Sequence, residues 1–307
     1  MNVVILGGGS FGTALAIHLS KRMNIKVWEI SKERVDKCNN ERVNDLLPNI
    51  KLSNNIEFTN NIEIANDADY IIVAVPSKFV KDTVKQITPK KDAIIVTASK
   101  GLFENKPLYK IVEEIHTNKT AVMVGPTHAE EVALAKLSSA VIASQDKTTR
   151  EKVKEIFEDK NFKFQLSDDP LGVSLASGLK NILAVLIGII DGKQLGDNAK
   201  AYAMVKGLEE MKEIGKKLGA KEETFYGLAG LGDIIVTCTS KHSRNRSLGL
   251  EIGQGKDPQK AMGQMTMVAE GANMDKSLNE LIKKYNLKCP FLQGLYDVLY
   301  NKKDLEL

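Results

Sequence analysis

Cysteine is scarce in this chain: Cys38, Cys238 and Cys289 are the three in 307 residues, far apart and without a C-x-x-C pair. That excludes a disulfide framework and a zinc ribbon, and it reads as free thiols in a reducing cytoplasm. The four histidines show no metal-ligand spacing, so no metal is expected. Long apolar runs are missing as well. None reaches the ~18 residues of a membrane span. The greasiest stretch, Ile182 to Ile190, has the length of a buried helix segment, so no stable membrane insertion is expected. The opening MNVVILGGGS lacks a basic leader, and its apolar run stops early at glycines, where a signal peptide needs ~7–15 apolar residues. Nor is one charge in excess. Lys and Arg number 43 against 39 Asp and Glu, a net +4, with the lysines scattered among acids. That argues against a nucleic-acid partner and leaves an anionic small substrate open.

What remains is ordinary globular composition, 43% hydrophobic and 27% charged, in a chain longer than the ~250–300 residues one core usually serves. Asn2 to Leu6 is a short apolar run closed by glycines, and Phe11 to Arg22 follows with helical spacing. Ile25 to Trp28, Tyr70 to Val75, Ala93 to Ala98 and Thr120 to Val124 repeat the strand pattern, with weaker strands near Ala140 to Ala143 and Phe162 to Gln165. Val80 to Ile87 and Pro107 to Ile115 read as helices between them. Strands apolar on both faces and alternating with helices predict an α/β fold built on a doubly wound parallel sheet. The asparagine-rich patch from Asn39 to Asn61 reads as a surface excursion. Beyond about Ser167 the β-branched runs fade, and Leu175 to Ile190, Ala199 to Leu218, Ser247 to Gly253, Met274 to Tyr285 and Phe291 to Tyr300 read as helices. The expectation is a sheet domain over 1–165 and an all-α domain over 166–307.

Gly7-Gly8-Gly9-Ser10-Phe11-Gly12 fits G-x-G-x-x-G between a strand and a helix. In that context Gly7 allows the tight turn, Gly9 lets the backbone approach a pyrophosphate, and Gly12 lets helix and strand pack closely. The anion would sit on the open N–H groups of the helix. The first domain is therefore expected to be of Rossmann type and to bind NAD or NADP. Glu29, at the end of the second strand, stands where an acid bonds the ribose 2′-hydroxyl of NAD; Glu29 and Ser31 favour NAD, while Lys32 could still support NADP. The bland alternative is a solvated charge pair at a strand end.

Polar residues cluster after other strands, where open α/β sheets bind ligands: Pro76-Ser77, Ser99-Lys100-Gly101 and Gly125-Pro126-Thr127. Lys100 is either an ammonium beside the reacting groups or an exposed loop lysine. Thr127 to Glu130 also matches a helix capping box. Lys180, within SGLKNILAV, lies in a stretch apolar almost all round. Burial there would pull its pKa towards neutrality, as an acid–base group needs; snorkelling at a domain edge is the alternative. Asp233 closes the glycine-rich GLAGLGD, where it orients Lys180, bonds a substrate hydroxyl or caps a helix before Ile234. Ser243-Arg244-Asn245-Arg246 offers arginine and small donors for a phosphate, or else a solvated basic loop.

In order, these pieces resemble the bacterial-type NAD(P)-dependent glycerol-3-phosphate dehydrogenases over nearly the whole length. The resemblance rests on GGGSFGTALA at 7–16, VPS at 75–77, SKGL at 99–102, GPTHAEE at 125–131, LKN at 179–181, GLAGLGD at 227–233, TCTSKHSRNR at 237–246 and VAEG at 268–271. It implies reversible hydride transfer between NAD(P)H and dihydroxyacetone phosphate, giving sn-glycerol 3-phosphate for phospholipid synthesis. It also implies roles at matching positions. Ser10, Phe11, Lys100, Ala129, Arg244, Val268 and Glu270 would hold the cofactor, beside Gly7, Gly9, Gly12 and Glu29 read above from the turn and the strand end. Lys100, Gly125, Thr127, Lys180, Asp233, Ser243, Arg244 and Asn245 would hold the phosphorylated substrate, with Lys180, Lys100 and Asp233 catalytic. Two departures stand out. Glu29-Ile30-Ser31 replaces the family's frequent histidine–arginine pair, and the chain stops at Leu307, earlier than usual, as if a final helix were trimmed.

Two rivals remain. The β-hydroxyacid dehydrogenases share the architecture and a helix-borne lysine, but they act on carboxylates and need no SRNR-type cluster. A dinucleotide-sensing regulator could share the turn, but it has no use for a lysine in an apolar helix. A cytoplasmic homodimer is the default expectation.

Overall fold

The computed structural model describes residues 1–241, 243–263, 270–301 and 303–305, and their side chains apart from those of 270 and 272–277. In chain order the elements begin β1 (Val3–Leu6), α1 (Ser10–Leu19), β2 (Ile25–Trp28), α2 (Lys32–Asn40), β3 (Ile56–Thr59), β4 (Tyr70–Val73), α3 (Val80–Val84) and β5 (Ile94–Thr97). A hairpin follows, β6 (Leu102–Phe103) and β7 (Lys106–Pro107), then α4 (Leu108–Ile115), β8 (Lys119–Val124), α5 (Ala129–Ala133), β9 (Ser138–Ala143), α6 (Lys147–Phe157) and β10 (Phe162–Ser167). The remainder is helical: α7 (Pro170–Gly192), α8 (Asp197–Lys217), α9 (Glu222–Tyr226), α10 (Asp233–Thr239), α11 (Arg244–Gly253), α12 (Pro258–Gly263), α13 (Glu270–Tyr285) and α14 (Pro290–Asn301).

The chain forms two compact units. One comprises Met1–Ser99 and Leu108–Pro170, the other Lys100–Pro107 and Leu171–Leu307. The first is built on an eight-stranded sheet ordered β10-β9-β8-β5-β4-β1-β2-β3. β1 lies between β2 and β4 in parallel register, Leu6 facing Trp28 on one side and Val73 on the other. Strand order reverses beside β1, so the turn that leaves it opens at a topological switch point, where such sheets bind ligands. All four residues of β1 and of β5 are buried, as expected of strands covered on both faces.

Three features depart from the sequence reading. First, the sheet is mostly but not wholly parallel: β9 runs antiparallel to β8. The connection carries only α5, five residues or ~7.5 Å of helix, too short to return along the six-residue β8, which spans ~20 Å. The chain therefore re-enters the sheet from the end it left. Second, the asparagine-rich stretch is not merely a surface excursion. It contains β3, and it buries Asn44, Leu47 and Leu52. Third, residues 100–107 belong to the helical unit. Glu104 and Asn105 take positive φ angles of 52° and 60°, the left-handed pair that a two-residue hairpin turn requires. Leu102 enters the helical core, and the Asn105 side-chain amide donates to Glu280 Oε2 at 2.7 Å.

In the second unit α7 is the central element. It is 23 residues long and apolar enough, by length and composition, to cross a membrane, which the shorter greasy run read from sequence did not reveal. Its apolar window is wholly buried. α11 crosses α7 through paired glycines: a Cβ on Gly188 would overlap the Arg246 carbonyl oxygen, and one on Gly249 the Val185 carbonyl oxygen. Gly192 and Gly253 repeat the contact one turn on, the Gly253 Cα lying 2.7 Å from the Cβ that Gly192 lacks. Backbones can approach this closely only where neither helix carries a side chain.

Candidate active site

The sheet unit carries the glycine-rich turn after β1. Gly7 adopts φ +117°, and a Cβ there would lie 2.8 Å from Ala74 O. A Cβ on Gly12 would strike the Gly7 carbonyl oxygen. At Gly9, by contrast, a Cβ would meet nothing within 4 Å, and Gly9 caps α1 without any side-chain hydrogen bond. An open approach to a helix N-terminus fits a pyrophosphate. Ser10 and Phe11, the next two residues of α1, are half-buried.

Beneath the turn lies Asn44, which sequence reasoning passed over. Its amide donates to Gly8 O and to Thr13 Oγ1, each at 2.8 Å, while its oxygen accepts from Leu46 N at 2.9 Å. One buried side chain thus ties the turn to the first turns of α1. No periodicity marks such a residue; only the folded path brings position 44 beneath position 8. Glu29 is 5% exposed, which overturns the solvated-pair alternative. Its Oε1 accepts from Ser31 N at 3.0 Å and from Arg34 Nη1 at 2.8 Å.

Gly125 directly follows β8, and a Cβ there would lie 2.8 Å from the Ala140 Cα. The capping box read at Thr127 does not form. His128 is the N-cap of α5, without a side-chain cap bond, and the Thr127 hydroxyl instead donates to Gly125 O at 3.1 Å. Ala129 opens α5, which packs against α1.

The helical unit gathers the lysines. Lys180 on α7 is 4% exposed, so it does not snorkel. Its Nζ donates to Asp233 Oδ1 at 2.7 Å and to Thr237 Oγ1 at 2.6 Å. Asp233 is fully buried at the start of α10, whose N-cap is Gly232, so its carboxylate serves the lysine and not the helix end. The preceding residues Leu228–Gly232 form a wide π-helical turn; such turns recur at functional sites. Lys100 reaches the other oxygen, Asp233 Oδ2, at 3.4 Å with its side chain 20% exposed. The exposed-loop alternative for Lys100 therefore fails.

Burial dominates the electrostatics of Lys180. It pulls the ammonium pKa down to about 8; Asp233 pushes back, and the nearby Lys100 lowers it further. Thr237 was the second omission of the sequence reading. Its signal was present: it stands four residues after Asp233, one helical turn along the same face.

The SRNR segment opens α11. Ser243 is the buried N-cap, its hydroxyl accepting from Arg246 N at 3.2 Å. Arg244, the first residue of α11, is exposed. Arg246 is held by Asp191, Nε to Oδ2 at 2.8 Å, so it is structural. Asn245 donates to Asn181 Oδ1 at 3.0 Å and accepts from Gly271 N at 3.0 Å. Since Asn181 directly follows Lys180, this bond fixes the α11 N-terminus beside the lysine. Glu270 opens α13, but its side chain lies outside the described residues, as does Val268 altogether.

Residues 2–150 match the model described as NAD-dependent glycerol-3-phosphate dehydrogenase N-terminus, and residues 169–307 match the corresponding C-terminus. The chain is 41% identical over 309 residues to a Clostridium botulinum (strain Alaska E43) protein named glycerol-3-phosphate dehydrogenase (NAD(P)+), covering 98% of this chain and 94% of that one. A Bacillus subtilis protein of the same name is 39% identical, with 99% and 91% covered. The crystal structure of glycerol-3-phosphate dehydrogenase from Coxiella burnetii superposes with a TM-score of 0.95 at 31% identity, covering 99% of this chain and 95% of that one. With its glycine turn after β1 and its buried lysine–aspartate pair, this chain belongs to the NAD-dependent glycerol-3-phosphate dehydrogenase family.

Proposed function

We propose that the family's reaction, the reversible NAD(P)-linked interconversion of dihydroxyacetone phosphate and sn-glycerol 3-phosphate, turns on Lys180 as its proton-transfer group. The observation that carries this reading is a lysine 4% exposed yet held at 2.7 Å by a buried aspartate. When bound, NAD(P)H supplies the hydride at its nicotinamide ring. The turn from Gly7 to Gly12 with Ser10 and Phe11, assisted by Glu29, Ala129, Arg244, Val268 and Glu270, would hold the dinucleotide.

Lys180 as ammonium donates a proton to the carbonyl oxygen of the ketone as the alkoxide develops; in reverse, neutral Lys180 accepts it. Its bonds to Asp233 and Thr237 use two of three N–H groups and leave one for the substrate. Lys100, on the other oxygen of Asp233, stabilises charge growing on the substrate oxygen. Arg244, Ser243 and Asn245 hold the substrate phosphate at the α11 N-terminus, with Gly125 and Thr127 as further substrate contacts, and so fix the reacting carbon.

The experiment is oxidation of NADH on addition of dihydroxyacetone phosphate, by the wild type and by Lys180→Ala. Turnover should fall by orders of magnitude in the variant with dinucleotide affinity nearly intact; near-normal turnover would sink the assignment. We also read the protein as a cytoplasmic homodimer. Its cysteines are free and buried, in keeping with a reducing compartment, and sedimentation velocity tests the dimer.

A further inference from the structure

The end of β2 carries an arrangement that the reaction alone does not explain. Two donors converge on a single carboxylate oxygen, Glu29 Oε1: the Ser31 amide at 3.0 Å and Arg34 Nη1 at 2.8 Å. The second oxygen, Oε2, accepts no hydrogen bond among the described residues. It lies 2.9 Å from where a Cβ on Gly8 would stand, so the carboxylate sits directly under the glycine turn. Ser31 is the N-cap of α2, its hydroxyl accepting from Arg34 N, and Lys32 beside it is exposed. A guanidinium, a serine hydroxyl, an ammonium and the N–H groups of a helix N-terminus are the donor set that a phosphate monoester takes. Here an internal carboxylate holds part of that set.

In Rossmann folds this place receives the 2′ position of the adenine ribose, where an acid suits the hydroxyl of NAD and a nearby arginine suits the phosphate of NADP. This chain has both, bonded to each other. We propose that the Glu29–Arg34 pair sets cofactor choice: Glu29 accepts the ribose 2′-hydroxyl and repels a 2′-phosphate, while Arg34 is a phosphate-binding residue that Glu29 keeps neutralised. The inference rests on reading the Gly7–Gly12 turn as the dinucleotide site. It has a structural consequence. Removing the carboxylate's charge while keeping its shape should loosen its hold on Arg34 and the Ser31 amide, and the site should then accept NADP.

Trp28, the sole tryptophan, ends β2 next to Glu29 and is 7% exposed. Its fluorescence, quenched by a reduced nicotinamide, reports binding without catalysis. NADH and NADPH are titrated against wild type, Glu29→Gln, Arg34→Gln and the double variant. Wild type should prefer NADH by about tenfold or more, the least that an opposed charge at this range imposes. Glu29→Gln should erase or invert that preference, and the double variant should lose the gain in NADPH affinity. If Glu29→Gln fails to fold, Arg34→Gln, at a half-buried helix position, carries the test: its NADH preference should widen. A wild-type preference for NADPH, a ratio indifferent to Glu29→Gln, a gain surviving in the double variant, or a ratio unmoved or narrowed in Arg34→Gln overturns the proposal. Failure of both nucleotides to bind wild type overturns the dinucleotide reading beneath it.

Discussion

Lys180 Nζ lies 2.7 Å from Asp233 Oδ1, with both side chains buried. A buried ammonium is costly unless paired, and a pair in low dielectric holds its partner tightly. The balance leaves Lys180 with a pKa of about 8 because desolvation outweighs the aspartate. That value lets one group act as acid in one direction and base in the other.

The first expectation is a pH dependence of opposite sign for the two directions. Ketone reduction needs the ammonium, so kcat should fall as pH rises through about 8; alcohol oxidation needs neutral Lys180, so kcat should rise through the same region. Asp233 raises the lysine pKa, so Asp233→Asn should move both inflections to lower pH. Steady-state rates from pH ~6 to ~10 check both; inflections that stay put in Asp233→Asn would separate the pair.

Thr237→Val keeps the volume but removes the oxygen that accepts from Lys180 at 2.6 Å. Leaving that buried N–H without its acceptor should cost about 1–3 kcal/mol of stability and lower kcat more than it raises KM. Thr237→Ser should recover most of both. Denaturant melts alongside kinetics distinguish this from a purely structural defect, in which serine, lacking the methyl, would rescue nothing.

Gly188→Ala sets two effects against each other. Alanine favours a helix by about 1 kcal/mol, but here its Cβ would overlap the Arg246 carbonyl and crowd Leu250 N at 2.8 Å. The overlap is with backbone, which cannot rotate away, so the clash should win by about 1–3 kcal/mol. α11 would shift on α7, carrying Arg244 with it, and KM for the phosphorylated substrate should rise while NADH binding is unchanged. A Gly188→Ala variant as stable as wild type would show that the helices are not locked here.

Asn44→Ala removes the donors to Gly8 O and Thr13 Oγ1. The loss of buried hydrogen bonds should cost about 1–3 kcal/mol and weaken dinucleotide affinity, with substrate KM at saturating cofactor little altered. Calorimetric titration of NADH is the direct measurement, and unaltered affinity would mean that the turn holds its shape unaided.

Much of this was written along the chain. β1 and its glycines are local: four apolar residues closed by a glycine turn suit a buried strand, and Gly7 at φ +117° is a conformation that few other residues adopt. Lys180 also announced itself, because a lysine amid apolar neighbours is a cost the fold must offset. A nearly unbroken apolar run marked α7, and periodicity found α8, α13 and α14 through an apolar face. It missed β3, four residues in a polar stretch, and α2, which buries only Val35 and Cys38.

Tertiary structure decided the rest, wherever the answer depends on which distant residue arrives next to which. Asn44 reaches the glycine turn across 36 residues, and Lys180 reaches Asp233 across 53. No residue's own preferences encode such a meeting; packing of whole elements does. The hairpin that carries Lys100 into the helical unit, the antiparallel entry of β9 behind a five-residue α5, and the glycine contact of α7 with α11 are of the same kind. The sequence by itself determined which chemistry the chain owns, since residue type and local spacing suffice for a strand, a glycine turn or a lysine in an apolar helix. Only the folded chain determined which groups share a proton, because hydrogen bonds and desolvation act over a few ångströms of space, whatever the separation along the chain.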